Sequence, residues 1–82
     1  MKKSIHSASY KVLLELLVRA REGRALTQTE LAARLQTTQS SISKIERGER
    51  RLDVVELHGW CEALGYPFLT LAKQLDARLR RG

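Results

Sequence analysis

The tetrapeptide Thr27-Gln28-Thr29-Glu30 constrains the fold more than any other stretch of the chain. A Thr followed three residues on by a Glu lets the hydroxyl accept the backbone N–H of the Glu while the carboxylate accepts that of the Thr, satisfying two donors that a helix start otherwise leaves open. A helix therefore begins at Gln28, with Leu31, Ala32 and Leu35 facing inward. Asp53-Val54-Val55-Glu56 repeats the device and opens a helix that closes at Leu64, with Gly65 just beyond. With only five Gly and one Pro, the chain has few further interruptions, and no alternating run is long enough for a strand.

The remaining segments read the same way. Ser7 or Ser9 caps a first helix over residues 8–22, stopped by Gly23, whose buried stripe is Tyr10, Leu13, Leu14 and Leu17. Val12, Leu16 and Val18 lie outside that stripe and widen its apolar surface. Helicity lapses at Gln36-Thr37-Thr38, where adjacent Thr hydroxyls compete for backbone bonds. A third helix over 39–47 takes Thr38 as N-cap, buries Ile42 and Ile45, and ends before a left-handed Gly48. The fourth, 54–64, turns Val54, Leu57, Trp60, Cys61 and Leu64 inward. Gly59 inside it costs about 1 kcal/mol relative to Ala and points to close approach by another helix. Pro67 suits the first turn of a fifth helix, 67–80, with Phe68, Leu71, Ala72, Leu75 and Leu79 on one stripe. The expectation is one all-α domain of five helices over residues 1–82.

Composition narrows the function. A chain of 82 residues removes only about 60% of its unfolded surface from water, and one Cys cannot form an internal disulfide, which fits a reducing compartment. No uninterrupted apolar stretch exceeds three residues, so no bilayer span is expected. The basic start Met1-Lys2-Lys3 is followed by no apolar run, so no secretory signal is expected either, and a cytoplasmic location follows. The excess of 15 Lys and Arg over 9 Asp and Glu, +6, favours an acidic partner, nucleic acid ahead of an anionic membrane surface. His58 and Cys61 lie one turn apart, but two ligands do not make a zinc site, so no metal or cofactor is expected. Cys61 and Trp60 read as core, and His58 as partly buried or at a subunit boundary. No nucleophile, base and orienting group stand together and no Gly-rich phosphate loop occurs, which argues against an enzyme.

The informative object is the helix pair 28–35 and 39–47. The second of these buries two residues and turns Gln39, Ser40, Ser43, Lys44 and Arg47 to one side, a short, polar, basic face. Such a face is often merely solvated. It also suits the major groove, where Gln pairs with adenine, Ser with either kind of base pair, and Lys with guanine or phosphate.

Leu26-Thr27-Gln28-Thr29-Glu30-Leu31-Ala32 together with Ser43-Lys44-Ile45-Glu46-Arg47-Gly48 closely resembles the helix-turn-helix of the phage-repressor and Cro-like (XRE) family of transcriptional regulators. The likeness extends through the fourth helix to Gly65 and implies a compact, lambda-repressor-like DNA-binding domain. Carried over by position, it implies base contacts by Gln39, Ser40 and Lys44. Gln28 matches a position that touches phosphate and buttresses the reading helix. Thr27, Ser43, Arg47, Arg50 and Arg51 are expected on the DNA backbone, and Arg21 with Glu46 is expected as a structural ion pair. Two positions depart from the family: Gln36 in the turn and Ala25 before Leu26 stand where Gly is usual. A left-handed Gln36 would cost about 1 kcal/mol, so the turn is expected to close differently.

One reading helix covers few base pairs, so a symmetric dimer on a palindromic operator is expected, with half-sites about 34 Å apart. Phe68, Leu71, Leu75 and Leu79 of the fifth helix are assigned to the dimer contact, with Val55 and His58 adjoining. Lys2, Lys3 and Lys11 offer a basic arm, although a solubilising terminus is the commoner use. Arg78, Arg80 and Arg81 complement the helix dipole. The function read from the sequence is homodimeric, sequence-specific binding of double-stranded DNA by a repressor. Alternatives are an antitoxin of a toxin–antitoxin pair, a controller of a restriction–modification operon, or a protein-interaction module that no longer binds DNA.

Overall fold

A computed structural model of the chain describes residues 7–81, so the expected arm of Lys2 and Lys3 lies outside the described residues. Five helices follow one another: α1 (Ala8–Gly23), α2 (Gln28–Leu35), α3 (Gln39–Glu46), α4 (Val54–Leu64) and α5 (Phe68–Arg81). Among the described residues there is no strand, and no helix is long and apolar enough to cross a membrane. The caps are the ones the side chains dictate. Ser7 Oγ accepts from Tyr10 N at 3.2 Å and Thr38 Oγ1 from Ser41 N at 3.1 Å. Both capping boxes close: Glu30 N donates to Thr27 Oγ1 and Thr27 N to Glu30 Oε1, and Asp53 and Glu56 do the same. Pro67 stands just before α5, and its carbonyl accepts from Leu71 N at 3.1 Å.

The first four helices end alike. In each, the residue beyond the C-cap turns left-handed or the C-cap itself does, and two backbone bonds of the Schellman type tie off the last carbonyls. The left-handed residues are Ala25 (φ 56°), Gln36 (φ 57°), Gly48 (φ 82°) and Gly65 (φ 68°). The 6→1 bonds run from Leu26 N to Arg21 O, Thr37 N to Ala32 O, Glu49 N to Lys44 O and Tyr66 N to Cys61 O. Two expectations change here. Gln36 does not force a different turn, because the two bonds at α2 and the packing of α3 on α2 hold it in the strained conformation. Gly23 does not stop α1, since it is still helical and the reversal comes at Ala25.

The core joins all five helices. Leu17, Leu31, Ile42, Cys61, Leu64 and Leu71 are sealed from solvent, and Trp60 is nearly so. Three positions depart from the sequence reading, and a fourth, His58, loses one of its two alternatives, partial burial. Leu71, assigned to a dimer contact, is 1% exposed, because α5 packs this face onto α1 and α4. Val54, expected inward, is 66% exposed, since burial in α4 begins only after its first turn. His58 is exposed and lies tilted against Phe68, ring centroids 5.4 Å apart. Gly59 has no close neighbour: a Cβ there would meet nothing within 4 Å.

Two arginines tie α4 to the first half of the fold. Arg24 donates through Nε to Leu64 O at 2.9 Å and through Nη2 to Gly65 O, with its guanidinium 5.5 Å from the Tyr66 ring centre. Arg34 Nη1 donates to Ala63 O at 2.8 Å. These are the carbonyls that a helix end leaves open.

Candidate nucleic-acid interface

A connected set of side chains fixes α3 on its support. Arg21 of α1 donates through Nε and Nη2 to the two carboxylate oxygens of Glu46, at 2.7 and 3.2 Å, and through Nη1 to Leu26 O at 2.7 Å. Gln28 Nε2 donates to Glu46 Oε1 at 2.8 Å, and Gln39 Nε2 donates to Gln28 Oε1 at 2.6 Å. The relay therefore runs from α1 through the last residue of α3, across the start of α2, and back to the first residue of α3. Both ends of the short helix are held by the same four side chains. The ion pair sits mostly out of water, while Gln39 is at the surface.

Around that relay, Gln39, Ser40 and Lys44 are exposed on α3, Ser43 is half-buried, and Arg47, expected as the last helical residue, is exposed at the C-cap. Thr27 stands beside Gln28 at the start of α2, where the N–H groups of Gln28 and Thr29 have no carbonyl partner within the helix. Those two donors form the positive end of the helix dipole and point outward, a ready place for a phosphate.

The basic residues are less free than their number implies. Arg47 Nε donates to Glu49 Oε2 at 2.9 Å and Arg47 Nη1 to Ser43 Oγ. Arg50 Nη2 donates to Glu56 Oε2 at 2.6 Å, which ties it to α4. The Arg47 guanidinium holds the Glu49 carboxyl below its usual range; Arg50, aided by the Asp53 N–H, does the same for Glu56. Arg51 lies over the Tyr10 ring, 4.6 Å from its centre. Among the described residues, Lys44 and Arg51 enter no salt bridge.

Tyr10, which sequence reasoning placed only in the core, has a second contact. Its hydroxyl accepts Leu52 N–H at 3.1 Å, so α1 holds the loop that carries Arg50 and Arg51. Nothing near Tyr10 in sequence signals a partner 42 residues away.

A polar, basic helix face of this size, backed by buried charge and flanked by a helix N-terminus, is a surface for a polyanion. Comparison with known proteins agrees. A family model described as helix-turn-helix matches residues 17–71. A solved structure, an XRE-family like protein from Pseudomonas syringae pv. tomato str. DC3000, is 47% identical and superposes with a TM-score of 0.83, covering 90% of this chain and 92% of that one. No curated protein matches the chain.

Proposed function

Because the chain belongs to the XRE family of helix-turn-helix proteins, we propose that it is a cytoplasmic repressor that binds a palindromic double-stranded DNA operator as a homodimer. The observation that carries this reading is the bond from Gln39 to Gln28, which presents a base-reading amide in a fixed orientation at the start of α3. With α3 in the major groove, Gln39, Ser40 and Lys44 meet base edges. Thr27, Gln28, Ser43, Arg47, Arg50 and Arg51 meet phosphates, Arg47 and Arg50 by exchanging a carboxylate for a phosphate.

The dimer reading rests on apolar surface at the junction of α4 and α5. Val55 is 76% and Leu69 72% exposed, one beside His58 and the other next to Phe68. Leu79 adds exposed apolar surface on α5, Phe68 and Leu75 are half-buried against the core, and Leu71 does not contribute. The same exposed residues support a second reading, in which the chain is an antitoxin and this surface takes a toxin. A single mass matching the monomer in sedimentation up to high micromolar concentration would remove the dimer.

Selection from random duplexes, followed by binding measured across salt concentrations, tests the DNA reading. Gln39→Ala should relax preference at one base position at a cost of roughly 1–3 kcal/mol, whereas Arg50→Ala should weaken all sequences alike and reduce the salt slope by about one. No enriched sequence, or equal weakening of every sequence by both changes, overturns the assignment.

A further inference from the structure

Of the three arginines that follow the body of α3, two already face an acid: Arg47 pairs with Glu49 at 2.9 Å and Arg50 with Glu56 at 2.6 Å. Arg51 enters no salt bridge among the described residues. Its guanidinium lies instead over the Tyr10 ring, 4.6 Å from the centre. The face of an aromatic ring attracts a cation through its quadrupole and carries no formal charge. Arg51 is therefore restrained while its positive charge stays whole and no carboxylate takes up its N–H donors. The ring is itself fixed. Tyr10 N donates to Ser7 Oγ at the start of α1, the residue is 7% exposed, and its hydroxyl accepts Leu52 N–H at 3.1 Å. One side chain thus holds both the Arg51 guanidinium and the backbone of the next residue.

We propose that Tyr10 is a positioning residue for a contact between Arg51 and a backbone phosphate of double-stranded DNA; this rests on the reading of the chain as a DNA-binding protein. The hydroxyl fixes the loop against α1, and the ring seats the guanidinium. A long side chain gives up rotamer freedom when it meets a phosphate, and a contact that has already removed part of that freedom lowers the cost of binding. Arg47 and Arg50 must first release a carboxylate, whereas Arg51 has none to release.

Phosphate contacts do not depend on base sequence, so a fluorescein-labelled duplex of random sequence is a sufficient probe in anisotropy titrations across salt concentrations. Arg51→Ala should weaken binding and lower the slope of log affinity against log salt by about 0.9. Tyr10→Leu, which removes both contacts, should weaken binding by about two- to fivefold in the folded protein. In the Arg51→Ala background the same change should have no further effect, because the cation it positions is gone. A merely structural Tyr10 gives equal losses in both backgrounds, and that result overturns the proposal while leaving DNA binding in place. So does an Arg51→Ala protein that binds like the wild type. A wild-type protein that binds no duplex overturns both readings. Should Tyr10→Leu fail to fold, Overhauser contacts between the Tyr10 ring and the Arg51 δ-protons of the wild type decide, and their absence in either the free protein or the duplex complex is equally fatal.

Discussion

Glu46 accepts two guanidinium N–H groups of Arg21, and the two side chains are only 7% and 11% exposed. The pair is the anchor of the relay to Gln28 and Gln39, so one charge couples the stability of the fold to the attitude of α3.

Breaking the pair from one side should therefore be costlier than removing it whole. Arg21→Met leaves Glu46 largely desolvated with only Gln28 as donor, and a loss of about 2–4 kcal/mol is expected, short of a fully buried pair because some water reaches it. Arg21→Met combined with Glu46→Leu should recover part of that loss. Urea unfolding followed by Trp60 fluorescence measures both, and a double variant no better than the single one refutes the desolvation argument.

Two helix ends hold strain that glycine would release. Gln36→Gly and Ala25→Gly should each raise stability by about 1 kcal/mol, since both residues sit left-handed in closures that Gly48 and Gly65 make without penalty. The turns share no partner, so the gains should add in thermal unfolding. A loss of stability in either variant would mean the side chain contributes more than its backbone costs.

Glu49 restrains Arg47 in the free protein. Glu49→Gln should strengthen binding to every duplex alike and steepen the salt dependence, because one cation is freed and one like charge facing phosphate is lost. Unchanged affinity in a filter-binding or fluorescence-anisotropy titration would show that Arg47 never reaches the backbone.

Acid should weaken the fold through its exposed carboxylates. Bonds to Thr27 lower the Glu30 carboxyl below its ordinary 4.5, and Arg50 with the Asp53 N–H lowers Glu56. A carboxylate whose folded value is depressed stabilises fully above the unfolded value, and that contribution disappears as pH falls through the folded one. Stability should thus be level above about pH 5 and fall below pH 4.5, with the fall shallower in Glu30→Gln. Equal slopes for the two proteins in urea unfolding at each pH would contradict this.

What could be read from the chain follows the range of the interaction. Thr27, Thr38 and Asp53 cap through atoms three residues away, so side-chain chemistry alone places those helix starts. Arg21 with Glu46 was legible only through the family likeness, since 25 residues separate them. The left-handed Gln36 ran against local preference, and tertiary packing overrides that preference at a modest cost. The stripe on α5 was legible as apolar, yet nothing local says whether it meets the core or a second copy; the packing of α5 on α1 and α4 decides it for Leu71. Neither Arg47 with Glu49 nor Arg50 with Glu56 was anticipated, because side chains this exposed choose partners after the backbone is set.

Cys61 is wholly enclosed, and burial pushes its thiol above the ordinary value of 9.0. A reagent that needs the thiolate can find it only in molecules whose interior has come apart. The pace of alkylation under native conditions thus becomes a clock for rare openings of the protein, readable by mass from a single tagged site. Bound DNA should slow that clock by the factor with which it populates the closed state.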